Sequence, residues 1–145
     1  MIACWFTSIR VLLVWLLGFA LALIIGILWH DLMMAFIVDT LQCGQYVVQL
    51  IHLLYYSIAG LLLVAYIVLI KDYFSRAAQK GLFLSRSLLT IGIELILIGL
   101  GQAGLTLYRI FPADWPGIAL ISSEGLAGIG MLYFSRQSGN RRTTA

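Results

Sequence analysis

One carboxylate inside a long apolar run constrains this chain more than any other feature. The run is Ser87 to Ile110, SLLTIGIELILIGLGQAGLTLYRI, and the carboxylate is Glu94. At about 1.5 Å per residue, a helix of this length crosses a hydrocarbon layer about 30 Å thick. A carboxyl group in that layer is tolerated only where it faces protein or water and finds partners. The segment therefore predicts further helices packed around it. Composition agrees: 62% of the 145 residues are hydrophobic and 10% are charged. Soluble domains carry about 25% charged residues, enough to clothe a surface in water.

The other apolar runs supply the helices. The first expected span is 11–29, preceded by Arg10 and followed by His30 and Asp31. It is too long and apolar for a signal-peptide core, and no small-residue cleavage site follows it, so it reads as a retained helix. Gly18, Ala22 and Gly26 recur at every fourth position, a small-residue stripe that lets another backbone approach. The segment between Asp31 and Asp39, LMMAFIV, is too short to span and is expected to lie in the interface or to extend a neighbouring helix. The second span is 45–70. Gln45, Gln49, His52, Tyr56 and Gly60 share one face of it, and that polar stripe is expected to face the protein interior. A basic loop, 71–86, carries Lys71, Arg76, Lys80 and Arg86.

The third span is 88–110, where Glu94, Ile98, Gly101, Gln102, Leu105 and Arg109 share a face. A turn holding Pro112 and Pro116 breaks the helix, and Trp115 suits the membrane interface. The fourth span is 117–134, with Glu124 near its middle and on the same face as Gly128. Ala119, Ser123 and Ala127 form a second every-fourth stripe of small residues. Residues 136–145 form a basic tail expected to be disordered. The expected architecture is thus all-α, a single four-helix transmembrane bundle over 1–135.

Arg10, the loop's four basic residues and Arg136, Arg141 and Arg142 fall on one side of this arrangement, leaving only Arg109 on the other. Positive-inside places both termini in the cytoplasm. The net charge of +3 is then a topology signal, and no nucleic-acid partner is expected. Cys4 and Cys43 fall at opposite faces, about 30 Å apart. Paired cysteines need Cα atoms within about 7 Å, so no internal disulfide is expected. That also argues against a quinone-linked disulfide oxidase.

The candidate polar site comprises His52, Glu94, Gln102 and Glu124. These groups could line a path across the membrane, as a proton relay or cation site. The plainer account is a glutamate hydrogen-bonded between helices, holding register with Gln102 or Tyr56. No close pair of metal ligands occurs, no nucleophile has an assignable base, and the glycines sit inside apolar helices rather than in phosphate loops. No metal, cofactor or catalysis is expected.

Phe74, Lys80-Gly81-Leu82-Phe83, Leu88 and Ile91-Gly92 form a motif across the junction before the third span. The motif resembles the corresponding junction of an uncharacterised bacterial family of small four-helix membrane proteins. Members are often encoded beside small helix-turn-helix regulators. The resemblance covers about a quarter of the chain, and the Gly81–Gly92 spacing is about one helical turn shorter than in the family. The family's acidic tail on the last helix is missing here. The resemblance implies four helices and residence in a bacterial inner membrane, and it implies no activity. The expected function is non-enzymatic action through helix–helix contacts, as a regulatory, accessory or immunity factor. Transport of protons or small cations through intramembrane carboxylates is the alternative. Expected partners are the bilayer, anionic lipids at 71–86, and a membrane protein or second copy.

Reporter fusions check the topology. Fusions after Gln79 and after Thr144 should report cytoplasm, and one at Thr40 should report the outside. An outside signal at Gln79 would sink the arrangement.

Overall fold

The computed structural model describes residues 2–42, 44–110 and 113–140, with side chains among those from 9 to 138. Cys43 and the Cys4 side chain, on which the expected lack of a disulfide turns, lie outside the described residues. So do Phe111, Pro112, Arg141 and Arg142. Four helices follow one another: α1 Ile2–Ala35, α2 Gln45–Gln79, α3 Phe83–Leu107 and α4 Trp115–Asn140. No strand occurs among the described residues. Each helix holds a stretch long and apolar enough to cross a membrane.

Several boundaries depart from the sequence expectations. The first helix runs past the span end expected at residue 29: LMMAFIV extends it, one of the two placements expected for that segment, through Ala35 and then a π-helical turn at Phe36–Thr40. No glycine or proline interrupts it before Gly44, so the helix propagates. For the same reason the expected loop 71–86 is mostly helix. α2 runs to Gln79, and only Lys80, Gly81 and Leu82 separate it from α3. Gly81 has φ 67°, a left-handed conformation that glycine adopts without strain. The Leu82 N–H donates to the Ala77 carbonyl at 2.8 Å and that of Gly81 to Ala78 at 3.1 Å, the paired bonds of a Schellman ending. α3 closes with the same bond pair, Ile110 to Leu105 and Arg109 to Thr106. Here Arg109 takes the left-handed position, with φ 58°, so it has left the helix and does not share the face of Glu94. Asp114 caps α4 by accepting the Gly117 N–H at 3.0 Å. Pro116 lies in the first turn of α4, where no backbone donor is needed. Residues 136–140, expected in a disordered tail, continue α4 as helix.

The third helix is central. α1 packs on α2 and α3, while α4 packs chiefly on α3. Of the apolar window in α3, 39% of residues are buried, against 0% in α2. The arrangement is therefore an open layer of helices with α3 covered from two sides. Neighbours in the chain run antiparallel: Trp15 meets Ile67 and His30 meets His52, while Ser85 meets Ser135 and Gly92 meets Gly128. Arg10, Lys71, Arg76, Lys80, Arg86 and Arg136 consequently collect at one end of the structure.

Glycine sets the closest approach. A Cβ at Gly92 would lie 2.9 Å from the Gly128 carbonyl oxygen, and one at Gly128 would lie 2.8 Å from that of Gly92. Ser85 and Ser135 then exchange hydrogen bonds, each hydroxyl donating to the other's carbonyl at 2.9 and 2.8 Å. On the other side of α3, a Cβ at Gly104 would meet the Leu32 side chain at 2.7 Å. The stripe expected to pack α4 does not do so: Ala119, Ser123 and Ala127 are exposed. Gly117, Gly128 and Ser135 are the buried positions instead. Glu124 turns α4 this way, because its carboxyl must face α3 to meet a partner. The polar stripe of α2 is likewise displaced. Gln45, Gln49, His52 and Tyr56 are exposed, and the partly covered line is Val48, Ile51, Tyr55, Ala59, Leu63 and Tyr66.

This register predicts a contrast within one helix. Gly128→Ala should cost about 1–3 kcal/mol by forcing α4 off α3. Gly130→Ala, with nothing within 4 Å of its Cβ position, should be neutral. Reversible unfolding in mixed micelles measures both. Identical curves for the two variants would refute the α3–α4 contact.

Candidate functional site

Glu94 lies eleven residues into α3, about 16 Å along its axis. Only 5% of its surface is exposed. Its partner comes from α2: the Tyr66 hydroxyl donates to Glu94 Oε1. The reach from α2 to α3 is possible because α1 offers Gly18 at that level. A Cβ there would lie 3.3 Å from the Tyr66 hydroxyl and 3.7 Å from each Glu94 oxygen. Three helices thus meet at one carboxyl group. The second oxygen, Oε2, is buried and has no hydrogen-bond partner. A carboxyl with one oxygen engaged and one open can accept a further donor.

An open cleft of about 720 Å³ reaches this carboxyl between α2 and α3. Ala22 and Ile25 of α1 form part of its wall, with Tyr66 and Leu69 from α2 and Ile93 and Leu97 from α3. At the basic end the α2–α3 hairpin is shut by Phe74, which is wholly buried and stands edge-on to Phe83 at 6.1 Å. Arg86 closes the same end, donating to the Tyr73 hydroxyl at 3.0 Å with its guanidinium 5.3 Å from that ring.

Gln102 and Glu124 form a second, separate pair. Gln102 is buried, and its Nε2 donates to Glu124 Oε1 at 3.4 Å, joining α3 to α4. Gln102 Oε1 and Glu124 Oε2 are buried without partners. Of the register partners expected for a glutamate, Gln102 meets Glu124 rather than Glu94, and Tyr56 is exposed beside the His30 and His52 rings.

His52 belongs to a third group at the far end of α1 and α2. Its Nδ1 lies 3.3 Å from Nε2 of His30, whose Nδ1 lies 3.0 Å from Asp31 Oδ1. Tyr55 and Tyr56 stand within 5.0 and 4.9 Å of the His30 ring, centroid to centroid. His30 is buried, although its place at the edge of the expected first span made it look like a flanking residue. The signal for it was its spacing of four from Gly26, on the face that receives the Tyr55 hydroxyl at the Gly26 carbonyl, 2.6 Å away. Tyr66 was legible too: it follows Tyr55 by eleven residues, which returns a helix to nearly the same face.

The four polar candidates are thus distributed over three pairings, and no hydrogen bond links those pairings among the described residues. No group of three or more His, Cys, Asp or Glu could hold a metal ion among the described residues. Of the first small-residue stripe, Gly18 is buried at the junction, Ala22 lines the cleft, and Gly26 has nothing within 4 Å of its Cβ position. No protein-family model, curated protein or solved structure matches this chain.

The junction predicts a coupling between two side chains. Tyr66→Phe removes the donor and leaves both Glu94 oxygens unsatisfied. The loss should be about 1–3 kcal/mol by the cost of an orphaned buried group, or nearer 0.6 kcal/mol by membrane-protein averages. In the Glu94→Leu background, Tyr66→Phe should cost less, since the acceptor is gone. A double-mutant cycle in micelles measures the difference, and strict additivity would show that the two groups do not interact.

Proposed function

We propose that this chain is a multi-pass protein of a bacterial inner membrane, with both termini in the cytoplasm. It acts without catalysis, through helix–helix contact, as a regulatory, accessory or immunity factor. The observation that carries this reading is the way the intramembrane polar groups are used. Each meets a residue of a neighbouring helix: Glu94 meets Tyr66, Glu124 meets Gln102, and His52 meets His30. Polar groups engaged in this way hold helices in register. Meanwhile the outer faces of α2 and α4 stay open, with Leu61, Leu69, Leu126 and Ile129 exposed. They are available to lipid and to a membrane protein or second copy. The basic end of the layer belongs in the cytoplasm by positive-inside. There Lys71, Arg76 and Lys80 meet anionic lipid headgroups.

A second reading rests on one specific observation. Glu94 keeps an unpartnered oxygen beside an open cleft, which suits transfer of a proton or a small cation. One substitution separates the two. Gln preserves the acceptor that Tyr66 needs but cannot ionise. If Glu94 is structural, Glu94→Gln should fold normally and retain biological activity. If it carries a proton or cation, the same variant should fold and lose all flux in proteoliposomes, with Glu124→Gln behaving alike if the acids form one relay. The expected result is retention. A well-folded Glu94→Gln protein that abolishes a wild-type flux would overturn it.

A further inference from the structure

We propose that the cleft between α2 and α3 is a binding site for a lipophilic amine, held as its ammonium by the unpartnered oxygen of Glu94. This goes beyond action through helix contacts, and it requires neither flux nor a protein partner.

Shape and chemistry converge on that ligand class. The cleft's volume of about 720 Å³ falls in the range of small-molecule sites, about 300–1,000 Å³. Its walls are chiefly apolar, from Ala22, Ile25, Leu69, Ile93 and Leu97, with the Tyr66 ring beside them. Leu69 and Ile93 are themselves exposed, so the mouth opens on the outer surface, where a molecule dissolved in the bilayer arrives. The other polar side chains of the wall have partners. The Thr90 hydroxyl donates to the Arg86 carbonyl, and the Tyr73 hydroxyl accepts from Arg86. Glu94 is 95% buried by complement of its 5% exposure, and its Oε2 has no partner. It is therefore the one carboxylate oxygen of the wall without a partner, and it favours one donor on an apolar body. A positive donor adds charge to the hydrogen bond.

Depth excludes the commonest amine in a membrane. Counted from residue 88, where the expected span begins, Glu94 lies about 9 Å into a hydrocarbon layer about 30 Å thick. A phospholipid headgroup ammonium stays at the surface. The occupant is thus a free amine whose apolar part carries it to that depth.

The test uses the full chain in phosphatidylcholine nanodiscs, whose lipid has no net charge. The probe is dansylcadaverine, a primary ammonium on an apolar fluorophore. Its counterparts are N-pentyl dansylamide, which lacks the amine, and the trimethylammonium derivative, which keeps the charge without an N–H donor. Dansylcadaverine should give a saturable fluorescence rise above empty nanodiscs, and both counterparts should bind at least about tenfold more weakly. Glu94→Gln should lower dansylcadaverine to the level of the neutral compound. Ala22→Phe leaves the carboxyl in place and fills the cleft, so it should abolish binding even where Glu94→Gln fails to fold. The proposal is overturned by no saturable binding to the wild-type protein, or by equal affinity for the amine and the neutral compound. Equal affinity for the trimethylammonium compound, or wild-type binding in either folded variant, would also overturn it.

Discussion

A carboxyl group inside a membrane can persist only where other helices bring it partners, and the whole layer is arranged around that requirement. α3 carries Glu94 on one face and Gln102 nearby, and both are buried. The side of α3 that carries Glu94 must be covered by α1 and α2, and another side receives Glu124 from α4. Since lipid offers α3 no hydrogen bond in place of these, its position between α1 and α4 follows from its own residues. The more peripheral helices need less cover, and α2, whose apolar window has no buried residue, shows how little.

Between helices, the recurring device is a ring donor aimed at a helix carbonyl. Trp15 Nε1 donates to Ile67, Trp29 Nε1 to Leu97 and the Tyr55 hydroxyl to Gly26, at 3.1, 3.2 and 2.6 Å. Apolar attraction between helices is weak when the solvent is also apolar. A donor that would otherwise stay unmade gives the contact both energy and register. The glycines on α3 serve the same end from the other direction. Gly101 admits Leu28 and Trp29, Gly104 admits Leu32, and Gly92 admits the Gly128 backbone.

How much of this was legible in the sequence depends on the scale of the question. Four apolar helices followed from run lengths alone, and the face of α3 from Glu94 to Leu105 followed from periodicity; its members Glu94, Ile98, Gly101, Gln102 and Leu105 are all buried. Helix ends were less legible. Hydropathy marks where a helix leaves the hydrocarbon, whereas the helix itself continues until a residue such as Gly81 stops it. Rotation about the axis was the hardest part. On α4 two small-residue stripes compete, and nothing local says that Gly128 wins over Ala127. That choice is made by Gln102 on another helix, which draws Glu124 inward. The Glu94–Tyr66 bond was hidden for a similar reason, since it depends on the absent side chain of Gly18 on a third helix.

Chain order adds a meaning to the hydrogen bonds at the carboxyls. A membrane protein is delivered to the bilayer from its N-terminus, and each segment meets only what has already arrived. Gly18 and Tyr66 both precede Glu94 in the chain, and Gln102 precedes Glu124. Each acid therefore enters a membrane in which its donor is waiting, and neither has to stand alone in lipid until a later helix is made. The same sequence read backwards would have presented both carboxyls first. The direction of synthesis and the placement of the acids are in this sense parts of one solution.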